Sequence, residues 1–289
     1  MTSTPRFLIS VPTYNRRHLL PRVMESIQSQ GFKNFDILFV DDCGSDDTPE
    51  YIQGLQAEAS NIYYHRMTEN SGVNAVRNKI LEIAKRDFPE SYIYFIDDDD
   101  QLYKDALQEA ANAIQQNPDY NWYALTCVYP DNKPISRLKR FGEMNYIEDF
   151  MFGSAMRGDL TNIVKVSGIG DSHFSKAFKN AEIWYFWTSL SLKHTLFAVD
   201  KIGSIKEYLP DGITQNGFNR DKAIEVALYK INTLEPIVGT KKLRHQYVTL
   251  AKHLIKQGRK KEAQKYLKKV FSASPLYFRQ YRHWIKSVM

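Results

Sequence analysis

The chain has 289 residues, 43% apolar and 13% aromatic, enough to bury one large domain plus an appendage, which excludes a disordered or low-complexity protein. Its two cysteines, Cys43 and Cys127, lack metal-ligand spacing, and no apolar run approaches the ~18 residues of a membrane span. The net charge of +6 conceals a division: residues 241–289 hold fourteen Lys or Arg against one acid, Glu262, whereas the rest holds 25 basic and 32 acidic residues.

The opening MTSTPRFLIS runs into a strand pattern with no secretory leader, so a cytoplasmic protein is expected. Residues 6–12 (RFLISVP) predict a buried strand, and the helix after it places Leu20, Val23, Met24 and Ile27 on one face. A second strand over 35–40 ends at Asp41 and Asp42, and a helix starts near residues 46–48 with Pro49 in its first turn. A short strand over 62–65 leads through Asn70, Ser71 and Gly72 into a helix with Val73, Val76, Ile80 and Ile83 on its apolar side. The fourth strand opens YIYFIDDDDQL, residues 92–102, an apolar run that delivers four consecutive aspartates to one edge.

Strands alternating with helices over about a hundred residues call for a mainly parallel sheet covered on both faces, with ligands beyond the carboxyl ends of its strands. PTYNR, DDCGSDD and DDDD all fall at such ends. Adjacent carboxylates repel and raise one another's pKa unless a cation offsets them, which invites Mg²⁺ or Mn²⁺. A solvated acidic turn capping the next helix would use the same residues. No GxxxxGK[ST] loop is present and no GxGxxG follows the first strand, so neither a P-loop NTPase nor an ordinary dinucleotide enzyme fits.

VPTYNR, ILFVDDCGSDDT, NSGVNAVRN and YFIDDDDQL resemble, in order and spacing, the nucleotide-sugar-binding half of family 2 glycosyltransferases, over about residues 6–105. The resemblance implies a GT-A fold, a nucleotide-diphosphate sugar donor, UDP by family habit, and transfer with inversion. It places Pro12, Thr13, Tyr14 and Arg16 around the base, Asp42 or its neighbour Asp41 on base or ribose, and Asn70 and Arg77 near the nucleotide. In DDDD, Asp97 and Asp99 match the two acids of the family's DxD, the first towards the ribose and both towards the metal. Asp98 and Asp100 shift that assignment by one position, Asp98 to the nucleotide and Asp100 to the metal.

Further on, residues 105–116 predict an alanine-rich helix, 122–128 a strand, 130–170 an irregular acceptor-side region, and 162–166 another strand. AEIWYFWTSL, residues 181–190, sets an acid before a dense aromatic helix, the position at which family members carry the catalytic base. Glu182 is the expected base. Beside Trp184, Tyr185 and Trp187 it would be partly desolvated and so a better proton acceptor. The family often has Glu-Asp where this chain has Glu182 and Ile183, and Asp171 in GIGDSHF is the second candidate. His173 and His194 read as structural.

A helix over 220–237, ended by Pro236, is expected to close a catalytic domain of residues 1–238, its donor half 1–105 and its acceptor half 106–238. Residues 239–289 form a basic helical extension. Its centre resembles one tetratricopeptide-like hairpin turning at Gln257 and Gly258 and stopping at Pro275, with an apolar face that needs a cover. YFRQYRHWIKSVM interleaves aromatics with basic residues, which suits an anionic membrane surface better than nucleic acid and fits a lipid-linked or other glycan acceptor at the cytoplasmic face of the inner membrane. The expected function is metal-dependent, inverting sugar transfer to a hydroxyl. A non-catalytic nucleotide-sugar-binding scaffold and a sugar nucleotidyltransferase are the alternatives; the latter usually has a glycine-rich first loop, which PTYNRRHLLP lacks.

Overall fold

The computed structural model describes residues 4–180, 182–209, 219–277 and 279–288. By its internal contacts the chain forms two compact units, Met1–Asp211 and Gly212–Met289.

The first unit is built on β1 (Phe7–Thr13), β2 (Phe35–Asp41), β3 (Ile62–Arg66) and β4 (Tyr92–Phe95), all parallel in the order β3-β2-β1-β4. Beyond β4 the order continues β10 (Leu160–Lys165), β6 (Trp122–Val128), β11 (Leu196–Ile205) and β5 (Gln101–Leu102), with β8 (Gly142–Met144) on β11. β10 runs antiparallel to both its neighbours, so β6 and β11 share the direction of β1 to β4. The sheet is therefore parallel in its first half and mixed in its second. All six co-directional strands still end at one edge.

Side chains alternate across β1, so Phe7, Ile9 and Val11 enter one core layer and Leu8 the other. The first layer holds α1 (Leu20–Gln28), α2 (Thr48–Glu58) and α4 (Ala106–Gln116) through Leu20, Ile27, Ile52 and Leu107. The second holds α3 (Val73–Asp87), α5 (Val166–Ile169) and α6 (Trp184–Ser191) through Ile80, Ala84, Ile169, Phe186 and Trp187. Both faces are covered, as a sheet of near-continuously apolar strands requires. The irregular region contains the two-residue pair β7 (Arg137–Leu138) and β9 (Met156–Arg157), with a wide helical turn at Tyr146–Met151.

The second unit departs from the sequence reading at its start. α7 (Arg220–Lys242) packs on α8 (Arg244–Lys256) and α9 (Lys260–Ala273), with Ile224, Ile231 and Leu234 buried. It therefore belongs with the C-terminal helices, and the division falls at 211/212 instead of 238/239. Pro236 does not end it. A proline forfeits one backbone bond, whereas Gly239 at φ 75° leaves helical space altogether, and the break falls there.

The hairpin is as expected: Leu250, Ala251, Leu254, Ala263 and Leu267 are buried, and Gly258 turns the chain at φ 78°. Its apolar face is covered by α7 and by α10 (Arg279–Val288) of the same unit.

Candidate active site

The four aspartates follow β4 and face alternate ways. Asp97 and Asp99 keep 41% and 20% of their side-chain surface, Asp98 and Asp100 only 8% and 4%. Arg16 Nη1 donates to Asp98 Oδ1 at 3.0 Å and to Asp99 Oδ2 at 2.9 Å, and Arg77 Nη2 donates to Asp97 Oδ1 at 2.7 Å. Arg22 donates to the Asp99 carbonyl at 2.7 Å, and Lys206 is ion-paired to Asp100. Burial pushes the Asp98 carboxyl up to about 7, against the pull of Arg16 and the Thr13 hydroxyl. Burial also raises Asp99 and Asp100, with the charge of Asp97 adding to both. At Asp97 burial works the same way, but Arg77 and Lys206 outweigh it and hold the carboxyl below its ordinary value. Burial alone would discharge Lys206; Asp100 and Asp97 more than offset it and raise its pKa.

Asp97 and Asp99, the two more open carboxylates, are hard oxygen donors of the kind Mg²⁺ and Mn²⁺ take, so the residues present fit such an ion. Among the described residues no three His, Cys, Asp or Glu side chains converge to hold a metal unaided. Asp100 is turned towards Lys206 and away from that pair.

The loops after β1 and β2 are tied together. Asn15, at φ 52°, accepts from the Ser45 amide at 2.6 Å, and a Cβ on Gly44 would meet Asn15 Oδ1 at 2.9 Å. Pro12 and Thr13 are buried beneath, and Tyr14 stands 45% exposed at the rim. Asp41 is fully buried, accepting from the Gly44 amide at 3.0 Å and the Tyr64 hydroxyl at 3.0 Å, with Arg66 at 3.6 Å. Asp42 accepts from the amides of Ser71 at 2.8 Å and Gly72 at 2.7 Å, anchoring the entry to α3. Asn70 is exposed just before that anchor.

The chain after α5 climbs α3 from its carboxyl-terminal end to its start. Asp171 lies at the lower end, where Lys85 Nζ donates to the Gly170 carbonyl at 2.6 Å; it is exposed and paired with Lys193, which holds its carboxyl below the usual range. About two turns higher, Asn78 accepts from the Phe174 amide at 2.8 Å and donates to its carbonyl at 3.1 Å. Near the top, Asn74 Nδ2 donates to the Phe178 carbonyl at 2.7 Å, and its amide donates to the Lys179 carbonyl at 2.9 Å. Glu182 follows, at φ 65°, its carboxylate accepting from the Trp184 indole. α6 is fixed by Trp187, which stacks on Trp122 at 5.3 Å and meets Phe95 edge-on at 5.6 Å. Phe178 and Lys179, just before Glu182, thus lie beside the first turn of α3, whereas Asp171 lies beside its last turn. α3 spans about 22 Å at 1.5 Å per residue, which measures the distance between its two ends.

Three contributors escaped the sequence reading. Lys206 directly follows β11 and supplies the counter-charge for Asp100; four adjacent acids require such cations, and a lysine at a strand end was the available signal. Asn74 and Asn78 share one helical stripe at a spacing of four, a polar pair within an otherwise apolar period. His194 is structural, as expected, at 2.8 Å from the Gly168 carbonyl.

The profile described as Glycosyl transferase family 2 matches residues 8–177. The GalNAc(5)-diNAcBac-PP-undecaprenol beta-1,3-glucosyltransferase of Campylobacter jejuni is 27% identical over 217 residues, 73% of this chain and 67% of its own. The putative teichuronic acid biosynthesis glycosyltransferase TuaG of Bacillus subtilis is 26% identical over 134 residues, 46% of this chain and 52% of its own. The chain thus spans about two thirds of the first of these relatives and about half of the second. In fold it is similar to Staphylococcus aureus TarS 1-349 in complex with UDP-GlcNAc, with TM-score 0.65 and 21% identity over 98% of this chain and 79% of that one. It is also similar to the mannosyltransferase PcManGT from Pyrobaculum calidifontis in complex with GDP-Man and Mn²⁺, with TM-score 0.57 and 15% identity over 99% and 87%. The sheet and its loops match the GT-A architecture, and the chain is a glycosyltransferase that belongs to glycosyl transferase family 2.

Proposed function

We propose that the protein transfers a sugar from a UDP-sugar to a hydroxyl of a glycan or lipid-linked acceptor, with inversion at the anomeric carbon. The observation that carries this reading is the meeting, at one strand edge, of the PTYNR and DDCGSDD loops, the DDDD turn and the Glu182 segment tethered by Asn74 and Asn78. The names of the relatives support it: one acts on an undecaprenol-diphosphate glycan, and one solved neighbour holds UDP-GlcNAc.

Pro12, Thr13, Tyr14 and Arg16 surround the base, Asp41 or Asp42 accepts from base or ribose, and Asn70 and Asp98 complete the nucleotide side. Asp97 and Asp99 would hold Mn²⁺ or Mg²⁺, while Asp100 stays with Lys206. When bound, the ion neutralises charge on the diphosphate. Arg77 exchanges part of its pairing with Asp97 for the diphosphate oxygens. Glu182 accepts the proton of the acceptor hydroxyl as that oxygen bonds to the anomeric carbon and the sugar–diphosphate bond breaks, with no covalent sugar–enzyme species. Its left-handed backbone, which costs a non-glycine residue of order 1 kcal/mol, suits a position held for chemistry.

Incubation with Mn²⁺ and UDP-, GDP- and dTDP-sugars, followed by measured binding and slow donor hydrolysis, tests the reading. Metal-dependent binding of a UDP-sugar is expected, abolished by Asp99→Asn. Glu182→Gln should bind donor normally and turn over about 10²–10⁴ times more slowly. Failure of every nucleotide sugar to bind with metal rejects the site, and full turnover by Glu182→Gln rejects the assigned base.

A further inference from the structure

The second unit carries a feature that donor chemistry does not use. His245, Val248, Thr249 and Lys252 fall at helical spacing on one face of α8, and with Arg282 and His283 of α10 they line a half-open cavity of about 230 Å³. Among the described residues no carboxylate lines it. Of the four acids among residues 212–289, Asp221 is bonded to Gln257, Glu235 to Thr240 and Tyr247, and Glu262 to Arg259, while Glu225 is exposed on α7. Lys252, Arg282 and Lys286 act together on His283 and lower its pKa, with burial the larger cause. A cationic cavity with a hydroxyl and two imidazoles on its wall is complementary to a phosphate.

The outer side of α10 has the opposite character. Ile285 and Val288, at a spacing of three, are 56% and 63% exposed, and Leu276 in the preceding turn is 81% exposed. Exposed Arg282 and Lys286 border that stripe one position further round the helix. Trp284 and Tyr281 are anchored on Phe271 at 5.2 and 4.9 Å, which holds the stripe outward. A phosphate-binding cavity beside an exposed apolar stripe edged with cations has the two parts of a headgroup interface, one for the anion and one for the acyl boundary.

We propose that α10 docks this protein on an anionic membrane, with a lipid phosphate in the cavity between α8 and α10 and with Leu276, Ile285 and Val288 in the acyl boundary. The seventeen Lys or Arg against four acids of residues 212–289 supply the long-range attraction.

The full chain is sedimented at low salt with vesicles of phosphatidylcholine alone and with phosphatidylglycerol or phosphatidic acid added. Pelleting is expected with both anionic mixtures and not with the neutral one. Lys252→Ala and Arg282→Ala should each lower partition about fivefold, and Ile285→Asp with Val288→Asp tenfold or more, with circular dichroism unchanged. Inorganic phosphate, followed by the histidine ring resonances, should still enter the cavity of the Ile285→Asp, Val288→Asp variant and not that of Arg282→Ala. Equal pelleting on neutral and anionic vesicles, or partition unchanged in Lys252→Ala and Arg282→Ala, overturns the proposal. Phosphate binding without any pelleting would assign the cavity to a soluble anion, and oligonucleotide binding lost in Arg282→Ala without pelleting would assign it to nucleic acid; either result also overturns it. Because these variants leave the aspartate site intact, metal-dependent donor binding reports separately on the proposed sugar transfer.

Discussion

Lys206, with 16% of its side chain exposed, lies outside the linear motifs, yet it supplies the counter-charge for buried Asp100 of the DDDD turn. Replacing it with Met leaves Asp100 buried without a counter-charge, a loss of about 3–5 kcal/mol for a broken buried pair. Urea unfolding at neutral pH should show that loss, and the double variant Lys206→Met, Asp100→Asn should recover much of it. Gly72 is a second residue on which the local geometry depends. It sits at φ 87°, and a Cβ there would lie 2.6 Å from Lys179 Cβ and crowd the Lys179 carbonyl. Gly72→Ala should therefore push the 178–180 segment away from α3 and lower turnover more than it lowers the unfolding midpoint, whereas equal small changes in both would assign Gly72 to turn geometry alone.

Among the elements, α3 acts as the rail on which the Glu182 segment is mounted. Asn78→Ala removes both partners of the Phe174 peptide groups, at about 1–3 kcal/mol for the unpaired atoms. If the rail positions Glu182, kcat falls in this variant while the donor KM stays nearly constant; a rise in donor KM alone would contradict it. α7 supplies a pH test. Hydrogen bonds from Thr240 and Tyr247, with Lys269 nearby, hold the Glu235 carboxyl below its usual value. A depressed carboxyl contributes stability that is present above the unfolded pKa and lost as pH falls through the folded one. Between about pH 5 and pH 3 the parent should lose stability more steeply than Glu235→Gln, as measured by thermal unfolding across that window. Most of these elements were readable in advance, because β1 to β4, α1 to α4 and β6 carry strong periodicities and end at recognisable turns. α7 runs past the expected stop because Pro236 forfeits only one backbone bond, whereas Gly239 is the residue whose backbone leaves helical space.

Considered whole, the chain joins an acidic unit to a basic one, residues 1–211 with 22 basic and 29 acidic side chains and residues 212–289 with 17 and four. No helix among the described residues is long and apolar enough to cross a membrane. Attachment through the basic unit should therefore weaken with salt, as the screening length shrinks from about 10 Å at 0.1 M to about 3 Å at 1 M. The part carried by Ile285, Val288 and Leu276 should persist, so vesicle partition is expected to fall to a plateau above zero, and the plateau should vanish in the Ile285→Asp, Val288→Asp variant.

The sequence by itself determined the first-half strands and helices, the polar loops at their carboxyl ends and the family, because periodic burial and ordered loop motifs are local properties of the chain. Through the family resemblance it also set Glu182 ahead of Asp171 and Asp97 with Asp99 ahead of their neighbours, but it held no contact that could support either order. Alternation after β4 separated the more open Asp97 and Asp99 from buried Asp98 and Asp100, and the course of residues 171–180 along α3 set Asp171 at the opposite end of that helix from Phe178 and Lys179. Those distinctions depend on contacts between residues twenty to more than a hundred positions apart, Arg77 with Asp97, Asn74 with Phe178 and Lys206 with Asp100, and such long-range pairings exist only once the sheet has closed.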